Sequence, residues 1–294
     1  GRAFIMYGTA GETWVAMGDP VGPVACWPEL LWEFRMTADR YADRAVFYEV
    51  SHTHLHLYVD MGLSLLKLGE EGRVPLTGFS LEGSNRKALR YGHRKVAKQG
   101  CGFEIIAADA VECHMDALEI VSNAWLKEKN TREKGFSLGY FDRDYLKQFP
   151  LGVVRGKERI LAFANIWIGA DKEELTVDLM RHLPEAPNGV MDYLFIELMI
   201  WGAAQGFRWF NLGMAPFSGM AAQKMGPVWH RIGGLVARFG DHFYNFKGLR
   251  DYKEKFDPVW QPRYLATPGG LSLPRTLTDI GTLTSGGLKG VLFK

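Results

Sequence analysis

Residues 174–212, ELTVDLMRHLPEAPNGVMDYLFIELMIWGAAQGFRWFNL, decide the fold. Glu174–Met180 alternates as a half-buried strand does, and Pro184, Pro187 and Gly189 then break it. From Val190 to Gln205 the apolar residues Met191, Leu194, Phe195, Leu198 and Met199 recur at helical spacing, and Gly206 marks the stop. Phe207–Leu212 is again strand-like, so the stretch predicts a strand, a crossover helix and a strand, the unit of an α/β fold. Upstream lie two further predicted strands, Leu151–Arg155 and Ile160–Ile168. Before them comes a helix over Asp109–Lys129 with Val111, Met115, Leu118, Val121 and Trp125 on one face.

The first 80 residues use the same menu. Phe4–Tyr7 and Thr13–Met17 predict a hairpin, Trp27–Arg44 a helix, Ala45–Val50 a strand, Leu55–Met61 a short helix and Leu63–Leu76 a second hairpin. Two α/β (α+β) units of similar plan result, and they resemble a tandem pair of GNAT-type acyltransferase folds. The predicted division is a first unit over 1–83, a basic connecting helix over 84–100, a second unit over 101–265 that carries the active site, and an irregular tail over 266–294.

The 294 residues are 47% hydrophobic and 23% charged, which excludes a disordered tail, a collagen-like repeat and a coiled coil. Lys and Arg (35) nearly balance Asp and Glu (33), so any contact with a polyanion must come from local clustering. Cys26, Cys101 and Cys113 have neither zinc nor disulfide spacing, in keeping with a reducing compartment. No charge-free apolar run is long enough to span a membrane; the nearest, Met191–Phe207, is interrupted by Asp192 and Glu197. A start at Gly1 without Met predicts a piece of a longer chain.

The local clustering is at Ser84–Lys98, where Arg86, Lys87, Arg90, Arg94, Lys95 and Lys98 occur without an acid. Ser84 reads as the N-cap and Gly100 as the stop. Like charges three and four apart destabilise an isolated helix, so the pattern points to an anion, either phosphate backbone or acidic lipid; a solvated face with acids from elsewhere is the alternative. Asp178 and Arg181 interrupt an apolar strand, as an ion pair or as a site. Three apart, they face opposite sides of a regular strand, and only a bulge or the strand end brings them together. The turn Leu183–Gly189 has two prolines and one glycine, a poor amide cradle for pyrophosphate, which argues against acetyl-CoA as donor. Phe239, Phe243, Phe246 and Leu249 make an apolar stripe flanked by Lys247, Arg250 and Lys253, core by default and a lipid or nucleic-acid face as the alternative. His52, His54 and His56 would share a strand face, but no carboxylate or cysteine stands beside them, and no metal is expected.

Several strings together resemble the C-terminal catalytic domain of the aminoacyl-phosphatidylglycerol synthases, the multiple peptide resistance factor family. They are Trp14–Gly22, Gly83–Arg90, Lys134–Phe141, Thr176–Arg181, Pro187–Asp192, Asn211–Pro216, and Phe246–Arg250 with Tyr252-Lys253. The likeness covers about residues 4–265 and is greatest to the alanyl branch. It implies transfer of an aminoacyl group, alanyl in that branch, from aminoacyl-tRNA to phosphatidylglycerol at the inner face of the cytoplasmic membrane. It also implies no cofactor, an N-terminal transmembrane region in the full-length chain, and donor and acceptor entering a tunnel from opposite ends. Matching positions make Asp178 and Arg181 catalytic and Tyr145 and Lys253 substrate-binding. Arg86, Lys87, Arg90, Arg94 and Lys98 are the residues expected to meet tRNA or lipid phosphate. The rivals are a lysyl-specific enzyme of the same family, a Fem-like peptidoglycan-bridge aminoacyltransferase, and a non-catalytic tRNA- or acidic-lipid-binding module.

Overall fold

The computed structural model describes residues 2–137, 139–219 and 246–285. Within them ten strands form one mixed sheet, in the order β1-β2-β3-β10-β4-β9-β8-β7-β6-β5. The first half opens with a hairpin, β1 (Tyr7–Ala10) and β2 (Thr13–Met17). Helix α1 (Trp27–Arg40) then crosses to β3 (Arg44–Ser51), which lies parallel to β2. A short α2 (Leu55–Asp60) leads to β4 (Ser64–Pro75). The second half repeats the plan. Helix α3 (Lys87–Lys98), β5 (Gly102–Ile106), α4 (Met115–Glu128) and α5 (Arg143–Leu146) precede three antiparallel strands. These are β6 (Leu151–Arg155), β7 (Ile160–Ile168) and β8 (Glu174–His182), after which α6 (Val190–Ala204) crosses to β9 (Trp209–Pro216), parallel to β8. The chain ends, as described, with α7 (Phe246–Glu254), β10 (Val259–Thr267) and α8 (Leu273–Thr284). The fold is mixed α/β on one large sheet, as the strand and helix pattern predicts.

Three expectations need correction. The second hairpin does not exist: Ser64–Pro75 is one strand, β4, near the middle of the sheet. Gly69 looks like a turn residue but marks a close approach, since a Cβ there would overlap the Ala215 carbonyl oxygen and stand 2.9 Å from Pro216 Cα. The predicted units also exchange a strand. β10, expected in the second unit, inserts between β3 and β4 and buries Leu265 and Ala266 in the first half's core. The predicted irregular tail is ordered through Ser285, with a 3-10 turn at Gly270–Ser272 and then α8, which packs on β1 and β2. Smaller differences follow the same logic. The first strand of the hairpin starts at Tyr7 rather than Phe4, and β5 had no distinct signature. The histidines fall in a 3-10 turn and in α2, so no strand face gathers them.

Helix α8 is fastened by a buried polar contact. Thr13 Oγ1 donates to Asp279 Oδ2 at 2.6 Å, and Arg44 Nη2 stands 3.9 Å from the same carboxylate. Asp279→Ala strands the Thr13 hydroxyl in the core, and a buried unsatisfied polar group costs about 1–3 kcal/mol. Urea unfolding of this variant is expected to show a loss of that size, whereas an unchanged midpoint would mean that the Thr13–Asp279 contact contributes nothing to stability.

Candidate functional site

The parallel pair β8 and β9 stays in register only from Glu174–Trp209 to Thr176–Asn211. Beyond that point β9 follows β4 as far as Pro216, while β8 follows β7 as far as His182, and the two strands part as a fork. Polar side chains brace its apex. Thr176 Oγ1 donates to the Asn211 carbonyl (2.8 Å), and Asn211 Nδ2 donates to Glu174 Oε1 (2.9 Å). Gly213 N–H donates back to Asn211 Oδ1 (2.7 Å), with Gly213 at a φ of 75° that a side chain would resist.

On the β8 wall the pairing with β7 slips. Ala164 faces Met180 and Ile166 faces Val177, so Asp178 and Leu179 together oppose Asn165. This bulge turns Asp178 and Arg181 to one side of the strand, the arrangement a regular strand forbids. Tyr145 Oη donates to Asp178 Oδ2 at 2.6 Å and accepts from Trp167 Nε1 at 2.9 Å. Burial, and then the Asp178 carboxylate, push the Tyr145 phenol well up from its ordinary range. Gly139 closes over Asp178: a Cβ at that position would overlap Oδ2 and lie 2.8 Å from Leu179 N. Arg181 is buried, its guanidinium 4.2 Å above the Trp125 ring, with Nη2 on Glu133 Oε2 (3.0 Å) and Nη1 on the Met180 carbonyl (3.0 Å). Burial lowers its pKa, while Glu133 and then Asp178 support its charge.

Lys253 belongs to the opposite wall. Its Nζ donates to the carbonyls of Gly213 (3.0 Å) and Met214 (2.8 Å). Two of the ammonium's three donors are thus used among the described residues. Burial brings its pKa down to about 8, against the pull of Glu49 and Glu71. Glu49 sits where β3 bulges against β10, at a φ of 65°, and burial followed by Glu71 raises it to about 7. Glu71 in turn is paired with Arg263. The structure therefore joins Tyr145, Asp178 and Arg181, and puts Lys253 across the fork with a charge cluster of its own. Of the cations predicted beside Lys253, Arg250 binds Glu70 (2.6 Å) and lies 4.2 Å over Trp260. Phe239 and Phe243 lie outside the described residues.

The basic helix divides in two. Leu89, His93 and Val96 form its inner face, with His93 Nε2 2.7 Å from Glu197 Oε1 and stacked on Tyr193 of α6. Arg86 and Arg90 are half-buried and spent on structure. Arg86 binds the Phe256 carbonyl (2.8 Å) and stands 3.8 Å from Asp257, and Arg90 holds the carbonyls of Leu81 and Gly83. Lys87, Arg94, Lys95 and Lys98 are exposed, and their side chains make no hydrogen bond or ion pair to a described residue. With Tyr91, 71% exposed, they recur at i, i+4, i+7, i+8 and i+11, one stripe along the helix. Ser84 is not the N-cap; Arg86 is, without a side-chain cap. A cavity of about 450 Å³ adjoins this helix, lined by Asn85, Arg86, Leu89, Asp192, Lys255 and Asp257. Its cations already face acids, Lys255 on Asp192 and Arg86 near Asp257, and no fork residue lines it.

Fork, bulge and basic stripe belong to a mixed α/β fold that known proteins share. The family model described as "Phosphatidylglycerol lysyltransferase, C-terminal" matches residues 1–267, and the chain belongs to that family. Phosphatidylglycerol lysyltransferases from Bacillus subtilis and Staphylococcus aureus are each 34% identical, over 94% and 95% of this chain. The chain spans about a third of their length (32% and 33%). A crystal structure of the C-terminal domain of a putative lysylphosphatidylglycerol synthetase from Agrobacterium fabrum is 43% identical, with a TM-score of 0.88 over 98% of this chain and 88% of that one. L-PGS from Bacillus licheniformis is 36% identical, with a TM-score of 0.84 over 97% and 86% of the two chains. FemX, at 8% identity and a TM-score of 0.58 over 94% and 86%, shares the fold alone. The Bacillus subtilis, Staphylococcus aureus and Agrobacterium fabrum proteins carry lysyl names, and none of these names is alanyl, so the family is that of the phosphatidylglycerol lysyltransferases and the expected alanyl branch gains no support.

The division of α3 yields a test. Reversing Lys87, Arg94 and Lys98 to Glu is expected to weaken tRNA or anionic-vesicle binding and to flatten its salt dependence by roughly one log–log unit per lost phosphate contact. Arg86→Glu and Arg90→Glu should instead lower the melting temperature. Equal salt slopes for wild type and the triple variant would reduce the stripe to a solvated face.

Proposed function

We propose that this chain is an aminoacyltransferase domain that moves an aminoacyl group from aminoacyl-tRNA to a glycerol hydroxyl of phosphatidylglycerol at the inner face of the cytoplasmic membrane, as part of a longer protein with a transmembrane region. The observation that carries the reading is the Tyr145–Asp178 contact at the open fork, in a chain of the phosphatidylglycerol lysyltransferase family. The relatives' names favour a lysyl donor over an alanyl one. The donor ester is already activated, so the chain's task is to orient two substrates and to move one proton. The lipid hydroxyl attacks the ester carbonyl, its proton passes to Asp178 directly or through Tyr145, and the ribose oxygen leaves with a proton returned to it. Lys253 is the cation suited to the developing oxyanion or to a phosphate of the terminal adenosine. Arg181 has its charge supported by Asp178, and a phosphodiester reaches it by taking the place of Glu133. The exposed stripe on α3 suits a nucleic-acid backbone or an acidic headgroup. The turn before α6 favours neither coenzyme A nor its esters, since the amides of Ala186 and Val190 are already bonded to Leu183 and Pro187.

Asp178→Asn is expected to fold as wild type does and to transfer from charged tRNA to phosphatidylglycerol vesicles about 100-fold more slowly or worse. A folded variant with near-normal turnover would leave a binding module or an ion pair in place of the catalytic reading. Replacing the lipid by a lipid-linked peptide amine separates the Fem-like alternative, which would accept it.

The depressed pKa of Lys253 gives a sign for the pH dependence. Its ammonium is present below about 8 and lost above it, so a rate that uses this charge declines as pH rises through about 8. Initial rates from about pH 7 to about pH 9, corrected for spontaneous ester loss, are expected to show the decline in wild type and not in Lys253→Arg. A decline that persists in the arginine variant belongs to another group.

A further inference from the structure

Asn165 is the one polar side chain in the otherwise apolar strand Ile160–Ile168, and it is fully buried. It stands opposite the two bulged residues, Asp178 and Leu179. A bulge leaves one backbone amide without its ladder partner. Here that amide is Leu179 N–H, and it donates to Asn165 Oδ1 at 2.6 Å. The side chain thus supplies the acceptor that the slipped backbone cannot. The other end of the amide is unspent: Nδ2 is buried and has no hydrogen-bond partner among the described residues. Phe163, Asn165 and Trp167 share one face of β7, the face on which Trp167 Nε1 meets Tyr145 Oη and Phe163 meets Phe141. Asn165, like Trp167, favours the ionised form of the Tyr145 phenol.

We propose that Asn165 is a positioning residue of the transfer centre: it holds the β8 bulge that sets Asp178 and Arg181 on one face, and it keeps a donor in reserve for the Tyr145 oxygen. The proposal rests on the proposed transfer reaction. In the relay it serves, the substrate hydroxyl proton moves to Tyr145 Oη as the Tyr145 proton moves to Asp178 Oδ2. Charge density rises on Oη only in that step, and a buried, unbonded amide donor beside it is an arrangement suited to the transition state more than to the resting enzyme. The proton is afterwards returned to the departing ribose oxygen. Asn165 touches no reacting atom and acts through Tyr145 and Asp178.

The test is a double-mutant cycle read in kcat and KM. Asn165→Leu removes both functions, and Asn165→Asp keeps an acceptor for Leu179 while giving up the amide donor. Each is expected to lower kcat for lipid aminoacylation about tenfold or more, and Asn165→Asp, which keeps the bulge, to leave KM for tRNA and lipid within about twofold of wild type. Asn165→Asp should cost nothing further in an Asp178→Asn background, because the carboxylate its donor serves through Tyr145 is gone, whereas Asn165→Leu still displaces Arg181 there. Wild-type kcat in both variants, or an equal loss from Asn165→Asp in both backgrounds, overturns the assignment. The crystal structure of Asn165→Leu gives a readout that needs no turnover. Asp178 is expected to leave Tyr145 as the bulge relaxes, and a retained Tyr145–Asp178 bond on an unchanged bulge overturns the proposal. A wild-type protein that transfers nothing to phosphatidylglycerol sinks the reaction itself, and the crystal structure still decides whether Asn165 holds the bulge.

Discussion

The site depends on β9 keeping β4 as its partner where it leaves β8. Its ladder with β4 runs from Trp209–Pro75 to Pro216–Gly69, while its ladder with β8 is over by Asn211. Backbone groups in a sheet interior must be paired, so one parallel neighbour can be abandoned only if the strand's remaining bonds are well made. Glycine supplies the means. Gly69 lets the β9 backbone come so close that a Cβ would overlap a carbonyl, Gly72 sits at the slip in the β4–β9 register, and Gly213 turns the strand away from β8. The polar apex at Thr176, Asn211 and Glu174 then satisfies groups that would otherwise be orphaned where the strands divide. A cleft between two central strands is costly, and here it lies where chemistry can use it.

The cations of this chain differ in what they can do because they differ in burial. Those on the outer stripe of α3 are screened by water, and their strength lies in number and in long-range attraction. Arg181 and Lys253 are enclosed, and each is held by fixed acceptors, a carboxylate and a carbonyl for one and two carbonyls for the other. In a low-dielectric setting such a charge acts strongly on its immediate neighbours, and it is oriented before any substrate arrives. Arg86 and Arg90 belong to neither group, since each is half-buried and bonded through Nη1 to loop carbonyls.

Much of the second half was legible in the sequence. Leu151–Arg155 and Ile160–Ile168 have the observed strand bounds, and Val190 begins a helix as its stripe predicts. Local pattern suffices there because strand, helix and strand follow one another in the chain. β10 defeats it, since nothing local in Val259–Thr267 says that it belongs between β3 and β4. β4 defeats it for a different reason: glycine permits a turn and a close backbone approach equally, and only the neighbour decides. At the site, Asp178 and Arg181 stood out as charges in an apolar strand, and Tyr145 and Lys253 came from family resemblance. Asn165 offered a signal of the same kind as Asp178, an amide inside an apolar run. Its meaning depends on a register slip that no single strand reveals.

The two halves of the sheet use the same device to different ends. Each has a bulge on a strand of its parallel pair, β3 in one and β8 in the other, and each bulge re-aims a carboxylate, Glu49 or Asp178. Asp178 is set against a phenol, a group that can pass it a proton. Glu49 also meets a phenol, that of Tyr48, but it is set among charges as well, with Glu71, Arg263 and Lys253 around it. Burial and Glu71 lift Glu49 to about 7, while burial drops Lys253 to about 8, so the two groups titrate in neighbouring ranges. The ionised form of each supports the charged form of the other. Near neutrality the carboxylate therefore keeps charge on the ammonium that burial would otherwise neutralise. One bulge aims a carboxylate at a proton donor, the other sustains the cation across the fork, and the shared sheet fixes the distance between them.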